Sequence, residues 1–128
     1  MKIGELAKST ECKVETIRYY EKIGLLPNPE RTEAGYREYV DAHRRRLVFI
    51  RRSRELGFTI EEIRALLELV DGGSYTCEDV QTLTMEHLEN IRQKIADLKK
   101  LEKSLSKMAS QCSGEKIPEC PVIDALFD

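Results

Sequence analysis

Apolar side chains recur at spacings of three and four residues near the beginning of the chain, which predicts two short helices over residues 3–10 and 13–22. A break at residues 11–12 separates them. Gly24 is suited to ending the second helix because glycine readily adopts the left-handed conformation found at helix ends. Two short helices joined by a tight turn have the dimensions of a helix-turn-helix, whose second helix enters a DNA groove.

The next stretch predicts a small hairpin over residues 30–39, with two short strands around a glycine-containing turn. Tyr36 and Tyr39 are expected on opposite faces of this hairpin. Arg31 and Arg37 flank its turn. A hairpin beside a helix-turn-helix is called a wing.

A second pair of helices is predicted over residues 41–56 and 60–70. Asp41 is a suitable N-cap for the first, and Thr59 with Glu62 forms a capping box for the second. The side chains expected to face inward are Leu47, Ile50 and Leu56 in the first helix and Ile60, Ile63, Leu66, Leu67 and Val70 in the second. The first helix also carries Arg44, Arg45, Arg46, Arg51, Arg52 and Arg54.

Glycine and proline are absent from residues 78–111, where apolar residues recur at spacings of three or four. This pattern predicts one long helix with a coiled-coil seam, preceded by a linker over residues 71–78. A loop over residues 112–121 and a helical turn at 122–127 are expected to follow. The seam consists of Leu88, Ile91, Ile95, Leu98, Leu101, Leu105 and Met108.

Charge is divided unevenly along the chain. The 128 residues carry 21 Lys and Arg and 23 Asp and Glu, which gives a net charge of −2. Residues 1–54 hold 13 basic and 8 acidic side chains, whereas residues 55–128 hold 8 and 15. A basic first half is typical of a surface that meets a polyanion, but on charge alone an uneven solvated surface explains the pattern equally well.

Composition excludes two classes of protein. With 41% hydrophobic and 34% charged residues, the chain is too apolar for a disordered tail and too charged for a membrane protein. No apolar run approaches the length of a membrane span, and the first residues have no signal-peptide core. We therefore expect a cytoplasmic protein that has the length of one domain and does not bind a membrane.

The residue types in the basic half suit DNA recognition. Arginine reads guanine edges, threonine can contact a thymine methyl group, and arginine, lysine and tyrosine bind phosphates. Each motif alone also fits an ordinary solvated surface, but their occurrence together favours DNA binding. The candidate DNA-binding residues are Lys13, Thr16, Arg18 and Tyr19, with Tyr20 nearer the core, and Arg31, Tyr36 and Arg37 in the wing.

The four cysteines are Cys12, Cys77, Cys112 and Cys120. In a reducing cytoplasm their roles are buried residue, metal ligand or redox thiol. Cys112 and Cys120 close a short loop and can meet. Cys77 lies 35 residues before Cys112, and a continuous helix would separate the two by roughly 50 Å, so they cannot share a metal within one chain. Cys12 is interpreted as a packing residue, and His43 and His87 as surface or seam residues.

Antiparallel pairing of two long helices removes that obstacle. When Cys77 of one chain lies opposite Cys112 of the other, Ile91 meets Leu98, and apolar positions meet apolar positions along the seam. The same register brings Cys77 to Cys112 and Cys120 of the other chain, giving two three-thiolate sites per dimer. Three thiolates without a nearby histidine suit a soft metal ion. The alternative is that these cysteines only pack.

The sequence resembles the MerR family of transcription regulators over its whole length. The matching segments are IGELA at residues 3–7, ETIRYYEKIGLL at 15–26, RTEAGYREY at 31–39 and RELGFTIEEI at 54–63. The resemblance implies a mainly α fold. The implied parts are a winged helix-turn-helix DNA-binding domain over residues 1–70, a linker over 71–78, an antiparallel dimerisation helix over 79–111, and a metal-binding loop with a C-terminal turn over 112–128.

The resemblance also implies a class of inducer. Cys112 and Cys120, the latter followed by Pro121, resemble the metal-binding loop of the metal-sensing members. At the start of the dimerisation helix, sensors of divalent metals carry cysteine, as this chain does with Cys77. Cu(I) sensors usually carry serine at that position. The loop and tail are most similar to mercury-responsive members, so Hg(II) is the expected ligand. The loop is a residue shorter than in some of these, which leaves Cd(II) and Pb(II) open, with Zn(II) or a Cu(I)-type sensor as further alternatives.

By the same resemblance, the protein is a homodimer that binds promoter DNA shared with RNA polymerase. It represses without metal and activates with metal, by bending and untwisting the DNA. An enzyme is not expected, because no nucleophile–base constellation or phosphate loop is visible and Cys112 and Cys120 are not a Cys-x-x-Cys pair. The other class considered is a passive thiolate metal-binding protein, which would need neither a wing nor a helix-turn-helix.

Overall fold

The computed structural model of the protein describes residues 1–111 and 120–127. These residues contain six α-helices and one two-stranded sheet, which confirms the predicted mainly α fold. The chain divides into two units, one over residues 1–83 and one from residue 84 onward. Among the described residues, none of the helices combines the length and the apolar composition that crossing a membrane requires.

The first two helices have the predicted helix-turn-helix arrangement. Helix α1 covers Ile3–Thr10 and helix α2 covers Val14–Lys22, so α2 begins one residue later than predicted. Between them Glu11 adopts the left-handed conformation, with φ of 57°. Gly24 has φ of 80° just after α2, as expected for a glycine that ends a helix.

The wing is a two-residue antiparallel ladder. Strand β1 is Glu30–Arg31 and strand β2 is Arg37–Glu38. The paired residues are Glu30 with Glu38 and Arg31 with Arg37. Tyr36 is 67% exposed whereas Tyr39 is 1% exposed, so the two tyrosines do lie on opposite faces. The N-terminal amine of Met1 donates to the carbonyl of Tyr39 over 2.6 Å, which ties the wing to the start of the chain.

The second helix pair consists of α3 (Asp41–Glu55) and α4 (Ile60–Gly72). The predicted capping box begins α4: the Glu62 N–H donates to Thr59 Oγ1 over 3.1 Å, and the Thr59 N–H donates to the Glu62 carboxylate over 2.9 Å. Both bonds satisfy N–H groups that have no partner inside a helix.

The predicted N-cap of α3 is wrong. Val40 occupies the cap position, and its N–H donates to His43 Nδ1 over 3.0 Å. Asp41 is instead the first residue of the helix, and its carboxylate accepts from Arg44 over 2.7 Å. His43 is buried, not on the surface, because it serves as a cap beneath Tyr39, whose ring centroid lies 5.3 Å away.

The core of the first unit is formed by buried side chains from α1 to α4 and from the segments between them. Two predicted core residues are wrong: Leu56 is 69% exposed and Val70 is 45% exposed. Leu56 lies just beyond the last residue of α3, and Val70 lies in the last turn of α4, so both are at helix ends. The buried apolar residues are Leu6, Ile17, Tyr20, Leu25, Leu26, Tyr39, Leu47, Ile50, Phe58, Ile63, Leu66 and Leu67.

The predicted linker over residues 71–78 is too long. Helix α4 continues to Gly72, and helix α5 (Cys77–Ser110) begins at Cys77. Gly73, with φ of 74°, ends α4 in the left-handed conformation. Thr76 and Asp79 form a capping box that starts α5 and leaves only residues 73–76 outside the two helices.

The second unit contains most of α5 and a short helix α6 (Pro121–Phe127). In the single chain, the middle of the predicted seam is open to solvent. Ile95, Leu98, Leu101 and Leu105 are 47% to 62% exposed. An apolar stripe of this kind is typical of a helix that packs against a partner.

Candidate DNA-binding surface and thiol ligands

Helix α2 presents a polar face to solvent. Arg18 and Tyr19 project from it as exposed side chains, and Lys13 is exposed immediately before its first residue. Thr16 is half-buried at the edge of the same face, while Ile17 on the opposite side is completely buried. The amphipathic pattern therefore orients α2 as predicted.

Tyr20 differs from the other predicted DNA-binding residues of α2. It is only 8% exposed and belongs to the hydrophobic core. Burial raises the pKa of its phenol, because a phenolate would be poorly solvated there. We therefore assign Tyr20 to the core and leave it out of the DNA contacts proposed below.

Glu21 ties the wing to helix α2. Its carboxylate accepts a hydrogen bond from Arg37 Nη1 over 3.2 Å and another from the phenol of Tyr39. The Glu21 side chain is only 6% exposed, whereas the Arg37 side chain is 41% exposed. Arg37 thus helps to hold the wing against α2.

The tip of the wing carries the other predicted residues. Arg31 Nη1 donates to the carbonyl of Gly35 over 3.0 Å, which bridges the turn. Tyr36 stands out from the turn, and the ammonium of Lys2 lies 6.0 Å from its ring centroid, at the outer limit of a cation–π interaction. The tip is therefore a small exposed surface of two cations and one aromatic ring.

Most arginines of α3 serve the fold. Arg46 and Arg54 donate to the backbone carbonyls of Leu25 and Phe58, and Arg44 and Arg51 pair with carboxylates on their own helix. Arg45 and Arg52 are exposed. The charge run is thus largely a set of contacts within the fold, which differs from both expectations, a DNA-binding surface and a solvated face.

Arg54 is nevertheless close to the face of α2. A surface cavity of about 360 Å³ is lined by Arg54 together with Thr16 and Tyr19 of α2 and Ile60 of α4. Arg54 therefore belongs to the same surface as the predicted DNA-binding residues. Nothing in the sequence distinguished it from the other five arginines of α3, because its neighbours across the fold come from other helices.

The structure describes two of the three cysteines that are predicted to bind a metal. Cys77 is the first residue of α5 and is exposed, and Cys120 is half-buried immediately before α6. Both are free thiols, which suits ligands of a soft metal ion. Cys112, the remaining predicted ligand, lies outside the described residues. Within residues 1–111 and 120–127 of one chain, no group of three or more potential metal ligands occurs.

Cys12 is half-buried in the turn between α1 and α2 and packs against the core of the first unit. Its thiol lies 3.6 Å from the carbonyl oxygen of Thr10. This placement agrees with the predicted packing role.

The exposed polar face of α2, with a wing bound to it through Glu21, defines a winged helix-turn-helix DNA-binding protein. The family model described as "MerR HTH family regulatory protein" matches residues 1–70, and the model described as "MerR, DNA binding" matches residues 44–108. The chain belongs to the MerR family of transcription regulators, as its resemblance indicated. Homologous regulators of this family are not enzymes.

Relatives of known name and structure extend over almost the whole chain. The "Mercuric resistance operon regulatory protein" of Bacillus cereus is 48% identical, with 98% of this chain and 96% of that protein covered. The lead(II) complex of PbrR691 from Ralstonia metallidurans is 40% identical with a TM-score of 0.86, and 98% of each chain is covered. The mercury(II) complex of MerR from Bacillus megaterium is 43% identical with a TM-score of 0.77, and 100% of each chain is covered.

Proposed function

We propose that this chain is a metal-responsive transcription regulator that binds promoter DNA as a homodimer and is induced by Hg(II). The observation that carries the proposal is the 48% identity, over 98% of the chain, to a mercuric resistance operon regulator. The exposed face of α2 and the free thiols of Cys77 and Cys120 supply the chemistry such a regulator needs.

The proposed DNA contacts come from α2 and the wing. In this proposal Lys13, Thr16, Arg18 and Tyr19 lie along the major groove, because they form the polar face of α2. Arg31, Tyr36 and Arg37 contact the neighbouring phosphates from the wing. Arg37 makes this contact while it remains paired with Glu21, so the angle between wing and helix is set before DNA is bound.

The proposed dimer forms through the apolar seam of α5. Two α5 helices run antiparallel and bury Ile95, Leu98, Leu101 and Leu105, which are 47% to 62% exposed in the single chain. In the register predicted from the sequence, Cys77 of one chain meets Cys112 and Cys120 of the other. Each dimer then has two sites of three thiolates.

The ligand chemistry supports a soft metal ion over zinc, and the similarity to the mercuric resistance regulator supports mercury among the soft ions. Thiolates bind soft ions, and the loop supplies no additional Cys or His between Cys112 and Cys120 that would favour zinc. Lead is the main alternative, supported by the TM-score of 0.86 to the lead(II) complex of PbrR691. Cd(II) is an alternative on the same ground as lead, namely the short loop, and Zn(II) and Cu(I) are further alternatives.

The proposed regulation acts on the shape of the promoter DNA and leaves its occupancy by the regulator unchanged. The dimer stays on the promoter with or without metal, and it represses in the metal-free state. Metal binding changes the geometry of the dimer, which bends and untwists the operator into a form that RNA polymerase can use. We place this regulation in the cytoplasm. The free energy of metal binding is thus coupled to the deformation energy of DNA.

A mixed-dimer experiment tests the shared site. Cys77→Ser protein is mixed with the Cys112→Ser/Cys120→Ser double variant, and Hg(II) affinity is measured by competition with a thiol chelator. Neither parent homodimer has a complete site, whereas the heterodimer has one, so tight binding should return at about half of the mixed population. Cys12→Ser is the matched control and should bind Hg(II) as tightly as the unaltered protein.

The unaltered protein and the cysteine variants are assayed for transcription from the operator with Hg(II), Pb(II), Cd(II), Zn(II) and Cu(I). Induction at the lowest concentration by Hg(II) supports the proposal, and preferential induction by Pb(II) would replace mercury with lead. Arg18→Ala should lose operator binding and keep its metal affinity. If mixing the cysteine variants restores no tight binding, the site shared between subunits is wrong.

A further inference from the structure

Arg46 of α3 joins two distant segments of the first unit. Its Nε donates to the backbone carbonyl of Leu25 over 2.7 Å. Its two terminal nitrogens donate to the two carboxylate oxygens of Asp71, over 2.7 Å and 3.0 Å. A guanidinium that binds both oxygens of a carboxylate is held in one orientation, which a single-point ammonium cannot achieve.

One of these segments adjoins the DNA-binding helix, and the other adjoins the proposed metal ligand Cys77. Leu25 follows helix α2, whose last residue is Lys22, so it belongs to the exit of the DNA-binding helix. Asp71 lies in the last turn of α4, and only residues 73–76 separate that helix from Cys77. Arg46 thus connects the end of the DNA-binding helix to the approach of the proposed metal ligand.

A second arginine holds the same exit. Arg64 of α4 donates to the backbone carbonyl of Ile23 over 2.7 Å. Helices α3 and α4 therefore both bind the segment that leaves α2. A displacement of α4 relative to α3 has to change these contacts, because both arginines act on carbonyls only two residues apart.

We propose that Arg46 is a positioning residue that transmits metal occupancy at Cys77 to the orientation of helix α2. This inference rests on the proposed metal response. When the metal draws Cys77 toward the cysteines of the other subunit, the short connection moves the end of α4, and Asp71 moves Arg46 with it. Arg46 then shifts Leu25 and the helix before it, which changes the angle at which α2 enters the DNA.

The Asp71 carboxylate is well suited to this role. The hydrogen bond from Arg46 lowers its pKa, so the pair stays ionised throughout the neutral range. The Arg46 side chain is 21% exposed, and the Asp71 side chain is 56% exposed. Asp71→Asn therefore changes the pair at its exposed end, which tests coupling without removing core contacts.

The test variants are Arg46→Lys and Asp71→Asn. The control variants are Arg44→Lys and Asp41→Asn, which alter an ion pair between two residues of helix α3. Arg44 and Asp41 are also joined by a 2.7 Å hydrogen bond, but this bond lies within the start of α3 and does not link α3 to another helix. Three quantities are measured: operator affinity with and without Hg(II), Hg(II) affinity, and the ratio of transcription with and without Hg(II).

We expect Arg46→Lys and Asp71→Asn to lower the induction ratio about tenfold, within the range of allosteric couplings. Operator affinity without metal and Hg(II) affinity should stay within about threefold of the unaltered protein. The control pair should keep the full induction ratio. The double variant Arg46→Lys/Asp71→Asn should be no worse than the more severe single variant, because both changes remove the same connection.

An unchanged induction ratio in both test variants would overturn the inference. So would equal losses of operator affinity with and without Hg(II), since that result assigns Arg46 only to the fold. If Arg46→Lys misfolds by circular dichroism, Asp71→Asn decides alone, because it keeps the bond from Arg46 to Leu25. Failure of the unaltered protein to respond to any of the five metals would instead overturn the proposed function.

Discussion

Thr76 and Asp79 exchange two hydrogen bonds at the start of helix α5. The Thr76 N–H donates to Asp79 Oδ2 over 2.9 Å, and the Asp79 N–H donates to Thr76 Oγ1 over 3.1 Å. Cys77 is enclosed by this pair as the first residue of the helix. The backbone of the proposed metal ligand is therefore held in a defined helical conformation before any metal binds.

Removing this cap should weaken metal binding. Thr76→Ala loses the acceptor for the Asp79 N–H, which costs about 1 kcal/mol at an N-cap. The first turn of α5 should then fray, and the Hg(II) affinity should fall about threefold to tenfold. Thr82→Ala is the control, because Thr82 Oγ1 donates only to the Glu78 carbonyl inside the helix. Equal Hg(II) affinity in the two variants would show that the cap does not position Cys77.

The two capping boxes show how far the sequence could be interpreted. Thr59 with Glu62 was predicted because it precedes a clear apolar stripe. The equivalent pair of Thr76 and Asp79 was not, because Gly72 and Gly73 indicated a longer linker. Local hydrogen-bonding patterns are visible in a sequence, but whether a helix continues through a glycine depends on the contacts of its neighbours.

The candidate site was only partly predictable for a similar reason. Amphipathic spacing correctly placed Arg18 and Tyr19 on the exposed face of α2, since a helical period alone decides this. The contacts of Arg46 with Leu25 and Asp71 join residues 21 and 25 positions apart, and periodicity contains no information about them. Tyr20 lies at the boundary between the exposed and buried faces of α2, and tertiary packing buries its side chain in the core.

The bond from Tyr39 to Glu21 predicts a pH dependence of stability. Burial, together with this hydrogen bond, raises the pKa of the Tyr39 phenol above its usual value of about 10. A raised pKa in the folded state stabilises the protein below the unfolded value, and this contribution is lost as the pH rises through the folded value. The unaltered protein should therefore lose stability above about pH 10.

Tyr39→Phe isolates this contribution. At pH 7 the variant should be less stable by about 1–3 kcal/mol, because the Glu21 carboxylate loses the hydrogen bond that the Tyr39 phenol donates to it. Above about pH 10 the difference from the unaltered protein should narrow. Urea unfolding across this range measures both effects, and Tyr75→Phe, a change at a tyrosine that is 48% exposed, is the control. A difference that is constant up to pH 12 would contradict the assignment.

Leu98→Asp should dissociate the proposed dimer. Leu98 is 62% exposed in the single chain, and in the antiparallel register it faces Ile91 of the other subunit. An aspartate there places a charge in an apolar seam without a partner, which is strongly unfavourable. Because both subunits carry the change, the dimer contains two such charges, and sedimentation at micromolar concentration should show a monomer.

Lys100→Asp provides the control for this change. Residue 100 lies about 200° around the helix from residue 98, so it faces away from the seam and gains the same side chain without affecting the contact. We expect this variant to sediment as a dimer. Dissociation of Leu98→Asp alone should also abolish tight Hg(II) binding, since a monomer cannot bring Cys77 to the cysteines of a second chain. A Leu98→Asp protein that remains dimeric would show that the register derived from the spacing of the seam residues is wrong.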